Sequence, residues 1–388
     1  MRTIIRGGRL LTPDETLDGH ALVIQDRHIE RLAGDVLPAA DRVIDASGLR
    51  VIPGLIDLHV HGALGSDVMD ATPQALTAME KFLVRHGVTA YLATTITSSP
   101  AALAAAITAV ARARTPGGAE PLGVHLEGPY VAAGQRGAQP LAWLRVPDPL
   151  EYEAWFESGV VRLITLAPEL PGAAELIASA TRRGVHVSAG HTDATYEQVR
   201  QAVEWGVRHS THTFNGMSGL HHRQPGAVGA VLTDDRVYAE LIADGVHLHP
   251  AIVSLLVRAK GVDHITLVTD AMRATGLEDG AYDLGGQTIE VRNGVARTDA
   301  GNLAGSTLTL NVAVRNVQRF AHLTPNQALA MATRVPAEAL DLAGRKGVLR
   351  PGADADVVLV DDEWNVHATM VGGDLRTASP TMQQAWRD

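Results

Sequence analysis

The 388-residue chain contains no cysteine. Disulfides, thiolate metal ligands and a cysteine nucleophile are therefore excluded. No apolar run approaches the roughly 20 residues that a membrane span needs. The opening "MRTIIRGGRL" is too short in apolar residues to be a secretory signal. Positive charge is scarce: 33 Lys and Arg face 43 Asp and Glu, for a net charge of −10. An acidic chain without basic clusters is a poor partner for nucleic acid or a membrane surface. A small anionic substrate is still allowed, because it needs only a local group of donors. The expectation is a soluble cytoplasmic protein with neither a nucleic-acid nor a membrane partner. What the chain has instead is a 46% hydrophobic share, enough for a large core, and 17 histidines, which raises metal or acid–base chemistry.

Both ends read as short strands. "TIIRGGRLLT", "HALVIQDRHIERLA" and "DRVIDASGLRVIPG" lead the chain, and "GVLRPGADADVVLVDDEWNVHATMVGGDL" closes it. Residues 1–52 and 344–388 are expected to build one small β-sandwich domain. Residues 53–343 alternate strand and helix signals. Eight apolar runs are candidate parallel strands: "LIDLHVH" (55–61), "AYLATTIT" (90–97), "LGVHLEG" (122–128), "LITLAPE" (163–169), "VHVSAGHT" (185–192), "HSTHTFN" (209–215), "YAELIADGVH" (238–247) and "ITLVTDA" (265–271). Between them lie capped helices. Thr72 with Pro73 opens one that stops before Gly87, and Thr195 opens another that stops before Gly206. The count predicts an α/β fold, a (β/α)8 TIM-type barrel with its function at the C-terminal strand ends. Residues 283–302, with an Asn-Gly turn, read as an inserted β-hairpin.

Polar residues gather at those strand ends. The first run ends in His59 and His61, which lie two apart and so face the same way, together with Asp57. The third carries Glu127, the fifth ends in His191, and the sixth in His212 and Asn215. The seventh ends in His247 and the eighth in Asp270. An HxH pair alone is common by chance. Glu127 alone could be a solvated strand end, an acid/base or a ligand. Gathered from separate strands, however, two imidazoles and a carboxylate with an open position suit Zn²⁺, Fe²⁺ or a similar divalent ion. Asp270 could cap a helix; among the other strand-end residues it reads as a proton-transfer group.

The barrel, the split β domain, "PGLIDLHVHG" and the strand-eight Asp resemble the amidohydrolase superfamily. "HLEGP" (125–129), "AGHTDATYEQ" (189–198), "STHTFNGMS" (210–218), "ADGVHLHP" (243–250), "LVTDAM" (267–272) and "LAGSTLTL" (303–310) narrow the resemblance to the N-acetylglucosamine-6-phosphate deacetylase family, in order along nearly the whole chain. That resemblance implies hydrolysis of the acetamide of N-acetyl-D-glucosamine 6-phosphate to D-glucosamine 6-phosphate and acetate, in amino-sugar catabolism and cell-wall recycling. It implies Glu127, His191 and His212 as metal ligands, a second ion at His59 and His61, and thus one or two divalent metals per subunit. Asp270 becomes the proton-transfer residue, and His247 the group that contacts the sugar or polarises the acetamide carbonyl. Ala138, Gln139, Asn215, Gly216, Arg223, Leu303, Ala304 and Gly305 fall where the family lines its phosphosugar pocket, Arg223 as a cationic fork for phosphate. A homodimer is implied as well. Many amidohydrolases bridge two metals with a carbamylated lysine; here Lys81, Lys260 and Lys346 all lie away from the predicted strand ends. One departure is Gln139, where the family commonly has histidine, a change that bears on the grip on phosphate and leaves the ligands alone. The rival expectations are a cyclic amidase or deaminase, which needs no phosphate recognition, and a non-catalytic sugar-phosphate-binding barrel.

Overall fold

A computed structural model describes residues 1–34, 36–113 and 117–387. Its centre is an eight-stranded parallel sheet, rolled into a barrel. The strands are β1 (Leu55–Val60), β2 (Val88–Thr95), β3 (Glu120–Glu127), β4 (Val161–Leu166), β5 (His186–Ala189), β6 (His209–Ser210), β7 (Tyr238–Leu241) and β8 (Ile265–Leu267). Each pairs with the next in chain order. β1 and β2 are buried along their whole length. That is why they read as continuous apolar runs and not as alternating ones: barrel strands face packed side chains on one side and helices on the other.

The barrel closes through residues at the site end. Val60 bridges Ala271, the Asp270 N–H donates to the His59 carbonyl at 2.9 Å, and the His61 N–H donates to the Ala271 carbonyl. Asp57 adds a side-chain tie, accepting from the Thr269 hydroxyl at 2.7 Å. The closure thus fixes the histidine pair of β1 against the Asp beyond β8.

Several strands end earlier than their apolar runs do. β5, β6, β7 and β8 stop at Ala189, Ser210, Leu241 and Leu267. His191, His212 and Asp270 follow with φ of 48°, 29° and 51°. A left-handed residue cannot continue a strand, so the chain turns there and aims these side chains inward. Non-glycine residues in this region cost of order 1–3 kcal/mol each, and such strain clusters at functional sites. The helices follow their caps. Thr72 accepts from Ala75 N to start Pro73–Arg85, and a capping box of Thr195 with Gln198 starts Tyr196–Trp205.

The termini form two sheets beside the barrel. Arg2–Arg6, Ala21–Gln25, His28–Ala33 and Arg42–Asp45 make one; Arg9–Leu11, Thr16–Leu17, Arg50–Pro53, Val357–Val360, Val366–Val371 and Asp374–Ala378 make the other. Their shared apolar layer includes Ile5, Leu22, Ile44, Val51, Val357 and Met370. Lys346 joins this domain to the barrel. Its buried ammonium lies 2.7 Å from Glu120 at the start of β3, 3.1 Å from Asp354 and 2.8 Å from Asp356.

The expected hairpin is instead a three-stranded antiparallel sheet, Gly280–Leu284, Gln287–Arg292 and Val295–Thr298. The Asn293-Gly294 turn is present, but Gly285-Gly286 makes a second turn that the sequence reading passed over. Leu284, Ile289 and Ala296 pack this sheet on Ile96, Met272 and Ala304. Gln287 also donates to the Ala138 carbonyl at 2.7 Å, so the sheet covers one side of the barrel mouth. No helix among the described residues is long and apolar enough to cross a membrane.

Candidate active site and metal centre

A cavity of about 260 Å³ opens at the C-terminal end of the barrel. Its lining includes His61, Glu127, Ala138, Gln139, His191, His212, Asn215, Gly216, His247, Asp270, Leu303 and Gly305. Three expected site residues fall elsewhere. His59 is fully buried behind His61. Ala304 is buried under the three-stranded sheet. Arg223 is exposed on a loop that lines a separate depression with Thr195, Ser218 and His221. Ile96, Gly137, Leu284 and Asn302 line the cavity without having been expected there. Their only signal in sequence was proximity to strand ends or turns.

The floor of the cavity is a knot of nitrogen and oxygen atoms. Glu127 Oε1 lies 3.1 Å from Nε2 of His191 and 3.1 Å from Nε2 of His212, and those two nitrogens are 3.1 Å apart. Beside it, Nε2 of His59 and of His61 are 3.2 Å apart. His61 Nε2 is 3.3 Å from Glu127 Oε2 and 3.3 Å from Asp270 Oδ1, which is 3.5 Å from His59 Nε2. Glu127 is therefore shared between the two histidine pairs.

The outer ring nitrogens decide the tautomers. His191 Nδ1 faces the Gln135 carbonyl at 2.8 Å, His212 Nδ1 the Asn215 carbonyl at 3.2 Å, and His59 Nδ1 the Glu240 carboxylate at 3.0 Å. Those oxygens only accept, so each Nδ1 carries the hydrogen and each neutral ring turns a bare Nε2 lone pair inward. Bare lone pairs about 3 Å from each other and from carboxylate oxygens repel unless a cation stands among them. The acid–base behaviour shows the same demand for positive charge, met by protons on the rings when no cation stands there. Burial works against a charged His59, yet Glu240, Asp270 and Glu127 together raise it to about 9. His61 is raised well above its ordinary range despite burial, through Asp270 and Glu127. Burial opposes ionisation of Glu127, but the surrounding histidines hold it well below the ordinary carboxylate range. The donor set demands positive charge at its centre and fits a divalent ion at Glu127/His191/His212 and another at His59/His61/Glu127.

Three supporting residues, Glu240, Asp244 and Thr269, lie outside what the sequence suggests, and a fourth, Gln139, makes a contact the sequence does not indicate. The expectation for Gln139 concerns phosphate and leaves the ligands alone. In the structure its amide donates to Glu127 Oε2 at 2.6 Å, and its carbonyl accepts from Thr97 N at 2.8 Å. It therefore orients the shared carboxylate directly. Glu240, on β7, accepts from His59. Asp244 accepts from His247 Nδ1 at 2.7 Å and from the Val246 and His247 backbone. That contact keeps Asp244 below the carboxylate range against burial. Thr269 ties Asp57. Glu240 did leave a signal: a carboxylate inside the apolar stretch "YAELIA" needs a buried partner. Asp270 caps no helix; its backbone holds the barrel seam, and its carboxylate faces His59 and His61. His125 is buried with Nε2 2.7 Å from the Thr165 hydroxyl, and burial keeps it neutral. No lysine lines the cavity among the described residues.

Comparison with known proteins agrees with this architecture. Residues 50–376 match the amidohydrolase family. The chain is 44% identical over 329 residues to the N-acetylglucosamine-6-phosphate deacetylase of Vibrio furnissii, covering 84% of this chain and 82% of that one. It is 40% identical over 379 residues to the N-acetylgalactosamine-6-phosphate deacetylase of Escherichia coli O157:H7, covering 97% and 99%. Among solved structures it superposes, with a TM-score of 0.90 and 34% identity over 97% of this chain and 99% of the other, on an aspartate-to-alanine mutant of the N-acetyl-D-glucosamine-6-phosphate deacetylase of Mycobacterium smegmatis in complex with N-acetyl-D-glucosamine-6-phosphate.

Proposed function

This chain belongs to the amidohydrolase family, and from that premise we propose that it hydrolyses the acetamide of N-acetyl-D-glucosamine 6-phosphate. Water cleaves the C–N bond, and the products are acetate and D-glucosamine 6-phosphate. One observation carries the reading: four histidines with their Nε2 atoms turned inward meet Glu127 and Asp270 at the base of one cavity. Glu127, His191 and His212 would hold one divalent ion, and His59 and His61 with Glu127 would hold a second. Zinc and iron both suit such N/O ligands. When bound, the cation supplies Lewis acidity that polarises a carbonyl and acidifies water.

The protein groups do the rest. Asp270 takes a proton from the attacking water on its carboxylate and returns it to the departing nitrogen, so the amine leaves neutral. Its seat is fixed from both sides, by the His59 carbonyl and by Ser306 N, which donates to the Asp270 carbonyl at 2.7 Å. His247, oriented by Asp244, presents its other ring nitrogen to the cavity and contacts the sugar or the acetamide carbonyl. Asn215 and Gly216 offer donors to the sugar phosphate, and Ala138, Leu303 and Gly305 shape the sugar pocket. Arg223, exposed on the neighbouring loop, is the cationic fork proposed for the phosphate, although it lines a separate depression. A phosphosugar substrate argues for a cytoplasmic enzyme, and the family resemblance for a homodimer.

A second reading differs at one carbon. The galactosamine relative spans nearly the whole chain, so the C4 epimer is a genuine competitor. Acetate release separates the readings. N-acetylglucosamine 6-phosphate, its galactosamine epimer and unphosphorylated N-acetylglucosamine are compared, each with and without chelator. The proposal expects the highest kcat/KM for the first and loss with chelator. Preference for the galactosamine epimer moves the assignment to the second reading. Equal turnover of the unphosphorylated sugar refutes phosphosugar specificity.

A further inference from the structure

The buried carboxylate on β7 ties the two histidine sets together through a single atom. Glu240 is fully buried, and its Oε2 lies 3.0 Å from His59 Nδ1 and 3.0 Å from the backbone N of His212. One oxygen therefore accepts from a side chain of the β1 pair and from the main chain of the β6 ligand. Its other oxygen is buried with no hydrogen-bond partner among the described residues. A carboxylate held this way is poor for stability, since an unsatisfied buried acceptor carries its full desolvation cost. Its geometry serves the histidines. The hydrogen bond to Nδ1 turns His59 Nε2 toward the centre, and the bond to His212 N holds a residue whose φ is 29°.

We propose that Glu240 is a positioning residue that presents His59 and His212 together, so that cation binding at the two histidine pairs is coupled through it. It touches neither substrate nor ion; it acts through the two ligands. The inference rests on the reading of His59 and His212 as ligands, and deepens it by naming what holds them in mutual register.

Zinc binding tests it, read by competition with a chromophoric chelator and by ion content per subunit after dialysis. Four proteins are compared: the parent chain, His59→Ala, Glu240→Gln and Glu240→Met. Circular dichroism of each in chelator checks that the fold is kept. Loss of an outer-shell partner typically lowers metal affinity about 10–100-fold. Glu240→Met is expected to lose zinc affinity in that range at both pairs. Glu240→Gln keeps an acceptor oxygen and is expected to stay within about tenfold of the parent, with the parent's stoichiometry. If His59→Ala weakens zinc binding while Glu240→Met matches the parent, the positioning role is overturned. If Glu240→Gln falls as far as Glu240→Met, acceptance of these two hydrogen bonds is not what matters, and the proposal fails. If His59→Ala itself binds zinc like the parent, the ligand reading fails, and this proposal fails with it. Should Glu240→Met not fold, Glu240→Ala, which also lacks an acceptor, takes its place with the same expected loss.

Discussion

His209 gives the chain a built-in sensitivity to acid. It lies fully buried in β6, with its ring centroid 5.4 Å from that of His186 and 5.7 Å from that of Tyr238. Burial, then the nearby His186, pushes its imidazole down to about 3 from an ordinary 6.5, against a smaller opposing pull from the Ala339 backbone. The sign follows directly. A histidine with a depressed folded value binds its proton only when unfolded. Its contribution to stability is therefore complete above about pH 6.5 and lost as pH falls toward about 3. Near pH 4.5 the unfolded chain sits about two units below its own titration point while the folded imidazole is still neutral. At about 1.36 kcal/mol per unit, that removes about 2.7 kcal/mol. The full window caps the loss at somewhat under 5 kcal/mol. His209→Phe keeps a ring against Tyr238 and removes the titration. Urea unfolding of both proteins, metal-free in chelator, at about pH 7 and about pH 4.5 provides the comparison. The parent should lose about 2–3 kcal/mol more than the variant on acidification. Because the site histidines titrate identically in both, their contribution cancels. Equal losses in the two proteins would refute the reasoning.

Three further outcomes are expected. Asp270→Asn should lower kcat by about 10²–10⁴-fold with ion content unchanged; full activity removes Asp270 from the chemistry. Gln139→Leu deletes the 2.6 Å bond to Glu127. Hydrogen bonds to charged groups are worth about 1.5–3 kcal/mol, so zinc affinity should fall about 10–100-fold; an unchanged chelator competition shows that Glu127 needs no such support. Lys346→Met leaves Glu120, Asp354 and the buried Asp356 without their shared cation. Removing one partner of a buried ion pair costs about 3–5 kcal/mol, and a thermal midpoint within a degree or so of the parent would mean the cage is structurally idle.

The chain's own order of residues determined the barrel, because each strand is a local apolar run and each helix carries its own cap. Thr72 and Thr195 mark helix starts with no help from tertiary context. It also determined which residues could be chemical: His59, His61, Glu127, His191, His212, His247 and Asp270 each end a recognisable run. Their neighbours were another matter. Gln139 reaches Glu127 across 12 positions, Glu240 reaches His59 across 181, and Thr269 reaches Asp57 across 212. Side-chain hydrogen bonds over such separations leave no periodic trace in a sequence. Exposure was equally hidden: Arg223 and Gly216 stand seven residues apart, yet only Gly216 lines the cavity. The sequence by itself determined the barrel and the identity of the site's donors. Only the tertiary structure decided which way each imidazole faces, since a ring's tautomer depends on the acceptor that folding brings behind it.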